Sequence, residues 1–143
     1  MPQRDYILRL IEQMGAIIAA LRDRILGRKV DHAALQDELS ALSGRAGFDL
    51  ALLRGFDGET LRMLVSPTGE VEPARCWMMA EILYLDGLEA DVEGRRDDAR
   101  ASFDKARILY TLIEPAGGML LGIADAADRI QEIDRRLATP PDG

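Results

Sequence analysis

The side chains that could carry out chemistry are a single cysteine, a single histidine and a group of carboxylates. Cys76 lies in the decamer CWMMAEILYL, where only Glu81 interrupts the apolar residues. A thiol in such surroundings is usually inert packing rather than a nucleophile. His32 follows Asp31 and has no second histidine with which to build a metal site, so we expect it to lie in water. We expect neither Cys76 nor His32 to be catalytic.

Six carboxylates near the middle of the chain form one acidic cluster. Its members are Asp86, Glu89, Asp91, Glu93, Asp97 and Asp98. The cluster lacks the alternating oxygen ligands and the central glycine of a calcium loop, so we expect a solvated acidic rim. Glu81 stands apart because its neighbours are apolar, but one acid without a partner is not a mechanism. The sequence therefore predicts no enzyme, no catalytic residue, no cofactor and no metal site.

The elements that position these residues are predicted to be two antiparallel helices, at about residues 73–113. The first is apolar almost all round, which predicts neighbours on most of its sides. Pro73 suits its first turn, and Gly94 lets the chain leave it with a positive φ. The second helix is amphipathic, and Asp97 or Asp98 is expected to cap it.

The remainder of residues 1–138 is predicted to cover this hairpin, giving an all-α multi-helix domain. A long N-terminal helix occupies residues 1–29, short helices occupy 31–66, and a capping helix occupies 116–138. Asp31 and Asp57 are expected to cap two of the short helices, and the first of these carries a narrow apolar stripe of Leu35, Leu39 and Leu42. The segment between them is expected to pack Phe48, Leu52 and Phe56 inward. We expect residues 139–143 to form a disordered tail.

Composition limits the classes of function. At 143 residues a single domain is expected, and one cysteine excludes an internal disulfide. Residues 1–45 carry a net charge of +1 and residues 46–143 a net charge of −8. An acidic body disfavours nucleic acid, because phosphate contacts supply most non-specific affinity. No signal segment and no run long enough to cross a bilayer is present, so we expect a cytoplasmic protein.

Spacing within the hairpin matches part of a known repeat. Gly87, Ala99, Phe103 and Ala106 stand at the offsets of the small and aromatic positions in a tetratricopeptide repeat. Those positions let two helix backbones approach closely around an aromatic wedge. The match is incomplete, because Ala90 replaces the usual aromatic of the first helix and no second copy of the repeat is present.

Three stretches in order carry a wider resemblance. They are DYILRLIEQMGAIIA, LRMLVSPTGEVEPARCWMMAEIL and the hairpin series Gly87, Gly94, Ala99, Lys105 and Tyr110. Over about residues 4–112 the chain resembles a family of small bacterial proteins of unknown function, often labelled tetratricopeptide-like. The resemblance implies an all-helical cytoplasmic protein and brings no activity, cofactor or catalytic residue.

The apolar stripe of the first helix is the main functional hypothesis. Its candidate interface consists of Tyr6, Ile7, Arg9, Leu10, Met14, Ile17 and Leu21. So long a stripe must be covered, either by the chain's own core or by a second copy of the chain, and of the two we favour a homodimer. We expect a non-catalytic module that binds an unknown protein or peptide. The alternative is a binder of an apolar small ligand or a membrane surface through this helix, although membrane contact is disfavoured.

Overall fold

The computed structural model describes residues 2–29, 31–113 and 126–138, with side chains from residue 8 onwards. Within these ranges the chain forms helices and no strand, which confirms the all-α prediction. The helices are α1 (Pro2–Leu26), α2 (His32–Arg45), α3 (Leu50–Gly55), α4 (Gly58–Val65), α5 (Pro73–Val92), α6 (Arg96–Ile113) and α7 (Ala126–Ala138).

The predicted caps of the short helices are confirmed. A carboxylate oxygen of Asp31 accepts from the backbone N–H of Ala34 at 3.0 Å, and one of Asp57 accepts from Thr60 at 2.8 Å. Asp49 caps α3 in the same way. Each carboxylate satisfies an N–H group that has no partner inside its helix, which explains why these short helices start where they do.

The boundaries of the central pair are mostly as predicted. Pro73 occupies the first turn of α5, and Gly94 leaves that helix with φ +83°. The expectation that Asp97 or Asp98 caps α6 is wrong. That helix begins at Arg96, so both carboxylates lie inside its first turn. Their negative charge still interacts favourably with the positive end of the helix dipole.

Helix α5 is the centre of the molecule. Every residue from Cys76 to Ala90 is buried, because α1, α2, α6 and other elements pack around it. On one side Gly15 of α1 lies against Trp77, and Arg22 of α1 bonds to Tyr84 seven residues further along both helices. Both contacts join residues 62 positions apart, so α1 and α5 run parallel.

Helix α6 runs antiparallel to α5. Glu81 contacts Tyr110 and Asp86 contacts Ser102, so a step forward along α5 is a step backward along α6. The two helices approach closely at Gly87. A Cβ atom added there would lie 2.6 Å from Cδ1 of the buried Phe103 ring, so only glycine fits this position.

The short helices contain one clear error of prediction. Leu52, expected to point inward, is 56% exposed, whereas Leu50 and Leu53 are buried. The cap at Asp49 fixes the start of α3, and the 100° step per residue then turns Leu52 away from the core. The predicted stripe of α2 is confirmed, with Leu35, Leu39 and Leu42 all buried.

Helix α7 is the described part of the predicted capping helix. It packs against α6, and its Ile133 is fully buried. The earlier part of the predicted capping helix, residues 116–125, and the predicted disordered tail, residues 139–143, lie outside the described residues. In the described part of the chain, no helix combines the length and the apolarity that crossing a bilayer requires.

Candidate binding cleft

The acidic cluster is only in part the solvated rim that the sequence predicts, because Glu93, Asp97 and Asp98 are exposed whereas its other three carboxylates are not. Asp86 and Glu89 are buried, and Asp91 is half-buried. Arginines from other elements neutralise these carboxylates, as burial of charge requires. The arginines that form ion pairs with the three carboxylates are Arg54, Arg95, Arg96 and Arg136. The prediction failed because two of these partners, Arg54 and Arg136, lie 32 and 45 positions from the acids they neutralise.

Of these three carboxylates, Asp86 borders a polar cleft between the short helices and the central hairpin. The cleft holds about 320 Å³ and is bordered by α2, α3, α5 and α6. Its lining residues are His32, Gln36, Arg54, Asp86, Ala90, Arg95, Asp98, Ala101, Ser102 and Lys105. Most of these side chains carry a charge or a hydrogen-bonding group, so the cleft suits a polar ligand rather than an apolar one.

Asp86 forms the floor of the cleft. The guanidinium of Arg54 donates to its two oxygens at 2.6 and 3.1 Å, and the hydroxyl of Ser102 donates at 2.7 Å. Burial alone would raise the pKa of Asp86, but the hydrogen bonds from Arg54 and Ser102 outweigh burial and hold that pKa below its ordinary value. The floor is therefore a fixed carboxylate at neutral pH.

Glu89 joins the cleft to the start of α2. Its carboxylate is 1% exposed. One oxygen accepts from Gln36 at 3.0 Å and Arg95 at 3.4 Å, and the other lies 3.1 Å from Nδ1 of His32. His32 is half-exposed, as predicted for a residue in water, and it also contacts Glu89. The two residues are 57 positions apart, so the sequence carries no signal for the contact.

Lys105 differs from the other cations of the cleft. Arg54 and Arg95 are both paired with carboxylates. Lys105 is half-buried in the wall and makes no ion pair or hydrogen bond within the described part of the chain. Its ammonium group is therefore the cleft cation most available to an incoming anion.

On the opposite side of α5, the surroundings of Glu81 are filled by other side chains. Glu81, 1% exposed, accepts from the hydroxyl of the buried Tyr110 and pairs with Arg129 of α7 at 3.0 Å. Burial disfavours the charged form of Arg129, but the ion pair with Glu81 more than compensates and raises the pKa of that guanidinium. Burial also raises the pKa of Tyr110 well above its ordinary value. Glu81, left without a partner in the sequence analysis, is thus a buried structural ion.

A second buried carboxylate completes this side. Glu132 of α7 accepts from the hydroxyl of Tyr84 at 2.8 Å and pairs with Arg22 of α1 at 3.2 Å and Arg136 at 3.0 Å. Burial would raise the pKa of Glu132, but hydrogen bonds from Tyr84 and Arg136 outweigh it and lower that pKa. Burial raises the pKa of Tyr84 to about 12. These contacts fix α1, α5 and α7 to one another.

Cys76 lies away from both polar regions. Its side chain is buried, and its thiol donates to the backbone carbonyl of Leu109 at 3.2 Å. Burial raises the pKa of Cys76 to about 12, so the thiol stays protonated at neutral pH. This agrees with the interpretation of Cys76 as packing.

The candidate interface of α1 is largely covered by the chain itself. Met14 and Leu21 are fully buried, because α1 packs against α5 over this stripe, and neither is available to a partner. Leu10 and Ile17 are half-buried against the core. Arg9 is exposed. The remaining two candidate side chains, those of Tyr6 and Ile7, lie outside the described ones, and homodimerisation stays a prediction.

Comparisons of the chain with protein-family models, with curated proteins and with solved structures found no significant match. The resemblance to the bacterial tetratricopeptide-like family therefore stays a prediction. What the cleft can bind is therefore argued from its own lining side chains.

Proposed function

We propose that the protein is a non-catalytic helical module of the cytoplasm that binds a protein or peptide partner in the polar cleft. The observation that carries this proposal is the lining of the cleft, where a fixed carboxylate floor lies beside a lysine without an ion-pair partner within the described chain. We assign the acidic side chains or the terminal carboxylate of the partner to Lys105, because a carboxylate there gains a charged hydrogen bond.

The hairpin supports this proposal as a rigid wall. Close approach at Gly87 and Phe103 fixes α6 against α5, and α6 carries both Ser102 and Lys105 into the cleft. Small residues at Ala99 and Ala106 are buried along the same contact. A tetratricopeptide-like pair uses small and aromatic residues in the same way, and we extend that interpretation to this hairpin.

A non-catalytic role is supported by how the reactive groups are used. The thiol of Cys76 is protonated and packed against a backbone carbonyl. Glu81, Asp86 and Glu132 are each neutralised by an arginine. Hydrogen bonds and ion pairs outweigh burial at Asp86 and Glu132 and hold their pKa values below the ordinary ones, whereas an acid or base in catalysis needs a pKa near the operating pH.

The alternative, binding of an apolar ligand or a membrane surface through α1, has less support. The apolar stripe that would make the contact is turned towards α5 at Ile11, Met14, Ile18 and Leu21. Co-sedimentation with lipid vesicles would test it directly. Salt-resistant binding of the wild type to neutral vesicles would favour the alternative over the cleft.

Affinity capture from the native cytoplasm, followed by identification of the captured proteins, tests the main proposal. Wild type is compared with Lys105→Glu, which places a negative charge in the cleft. The matched control is Arg100→Glu, the same change of charge on an exposed residue of α6 outside the cleft lining. We expect partners that bind wild type and Arg100→Glu and are lost with Lys105→Glu. A partner retained by Lys105→Glu would contradict the assignment of the cleft.

A further inference from the structure

Three potential metal ligands meet where the start of α2 approaches the end of α5. Nδ1 of His32 lies 3.1 Å from Oε2 of Glu89 and 3.9 Å from Oε2 of Glu93. The ligand atoms of the three residues all lie within 4.8 Å of one another. Two ligands bound to one tetrahedral Zn²⁺ at about 2.0–2.1 Å are about 3.3 Å apart, so the separation of His32 and Glu89 already matches a shared ion.

The two oxygens of Glu89 have different surroundings. Oε1 accepts from Gln36 and Arg95, which hold the carboxylate in place. Among the described contacts, Oε2 faces only the imidazole nitrogen of His32. A carboxylate oxygen and an imidazole nitrogen at this distance need a proton or a metal ion between them. Metal-ligating carboxylates are themselves held by hydrogen bonds from other groups, as Oε1 of Glu89 is held here by Gln36 and Arg95.

The exposure of the cluster also fits an exchangeable ion. His32 is 52% exposed, and Glu93 is 36% exposed. An ion can therefore reach the cluster from solvent, where Oε2 of Glu93 at present accepts from Nε of Arg95 at 3.1 Å and would exchange that contact for the ion. Glu89 and Glu93 also border a second hollow of about 490 Å³ beside α1.

We infer that His32, Glu89 and Glu93 bind a divalent transition-metal ion, and that Zn²⁺ is the ion that matches them best. An imidazole nitrogen is an unusual ligand for Mg²⁺ or Ca²⁺, which take oxygen ligands, whereas mixed nitrogen and oxygen ligands suit Zn²⁺. Three protein ligands leave one tetrahedral position for water or another ligand. This site is absent from the sequence-based expectations, which excluded a metal because the chain has one histidine.

The inference does not depend on the proposed binding of a partner. An ion at this point would connect α2 to α5, two elements that are 57 positions apart at His32 and Glu89. Because the cluster forms only in the folded chain, the bound ion would stabilise that chain by mass action. Partner capture and metal binding are measured separately, so one can fail while the other holds.

Calorimetric titration with ZnCl₂ tests the inference on the full chain, prepared without a polyhistidine tag and in a buffer that does not chelate metal. We expect saturable binding of one ion per chain and a higher Tm in its presence. MgCl₂ serves as the comparison ion and is expected to give no saturable binding. A wild type that shows no saturable Zn²⁺ binding would overturn the site.

Two variants locate the ion. His32→Ala and Glu93→Gln each remove one ligand from an exposed position, and each should weaken Zn²⁺ binding at least about tenfold. The control is Glu38→Gln, which removes an exposed carboxylate of α2 that pairs with Arg24. Circular dichroism confirms that each variant is folded, and Glu93→Gln decides alone if His32→Ala is not. Binding that survives the loss of a ligand, or that falls equally in Glu38→Gln, contradicts the inference.

Discussion

The two polar sides of α5 place similar carboxylates in different surroundings. On the α7 side, Glu81 is closed in by Arg129, whose side chain is 14% exposed. On the cleft side, Asp86 and Glu89 are equally part of the core, but their partners Arg54 and Arg95 are 40% and 37% exposed. A buried charge costs several kcal/mol unless it is paired, so both sides need arginines. Arg54 and Arg95 are therefore within reach of a ligand, whereas Arg129 is not.

The largest expected loss of stability comes from breaking the ion pair between Arg129 and Glu81 on the α7 side. Arg129→Met leaves the carboxylate of Glu81 buried without its ion-pair partner, and we expect the free energy of unfolding to fall by about 3–5 kcal/mol. Chemical denaturation measures the change. The control is Asp134→Asn, which breaks an exposed ion pair between α7 and Arg107 and should cost less than about 1 kcal/mol. Equal losses in the two variants would mean that burial does not determine how much stability is lost when an ion pair is broken.

The hairpin that both sides share can be overpacked. Gly87→Ala places a Cβ atom within 2.6 Å of the Phe103 ring, which is buried and cannot move freely. We expect a loss of about 1–3 kcal/mol in the free energy of unfolding. Gly44→Ala is the matched control, since a Cβ there meets nothing within 4 Å. A helical glycine with free space gains about 0.5–1 kcal/mol on becoming alanine, so the two substitutions should differ in sign.

Breaking the ion pair between Arg54 and Asp86 on the cleft side should destabilise the fold less. Arg54→Met removes the main partner of Asp86, but Ser102 and Gln36 still donate to that carboxylate. We therefore expect a loss of about 1–2 kcal/mol at pH 7, measured by denaturation. A loss as large as that of Arg129→Met would show that the cleft is as closed as the α7 side.

The same variant should change the response to acid. A carboxyl whose folded pKa lies below its unfolded value stabilises the fold above the unfolded pKa, and this contribution is lost as pH falls through the folded pKa. Arg54 is the largest influence that lowers the pKa of Asp86 from its ordinary 3.8. Between pH 7 and pH 3, Arg54→Met should therefore lose less stability than wild type. An equal loss would mean that Arg54 does not set the pKa of Asp86.

Much of the fold was predictable because its determinants are local. Caps such as Asp31 and Asp57, the breaker Pro73 and the all-round apolar decamer define helices within a few residues of sequence. The cleft was not predictable, because its contacts join His32 to Glu89 and Arg54 to Asp86 across long separations. An acidic cluster with its arginines elsewhere in the chain has the same local pattern as a solvated one.

The smallest expected effect is on Lys105. Because it has no ion-pair partner within the described part of the chain, Lys105→Gln should change the free energy of unfolding by no more than about 0.5 kcal/mol. Denaturation curves that overlay those of wild type would show that this cation contributes nothing to the fold. A loss above about 1 kcal/mol would place Lys105 in the structural network instead, and would weaken the case for a ligand.

The contact between Arg22 and Glu132 has a consequence for the order of folding. These residues are 110 positions apart, whereas α5 and α6 are separated only by residues 93–95. Closing a long loop costs more entropy than closing a short one, so the hairpin should form in the transition state and the union of the two chain ends should follow. Arg22→Met should then accelerate unfolding and leave the folding rate nearly unchanged. Stopped-flow fluorescence of Trp77, the single tryptophan, would follow both rates. A slower folding rate would show that the ends meet early, and that the molecule closes around α5 before its hairpin is complete.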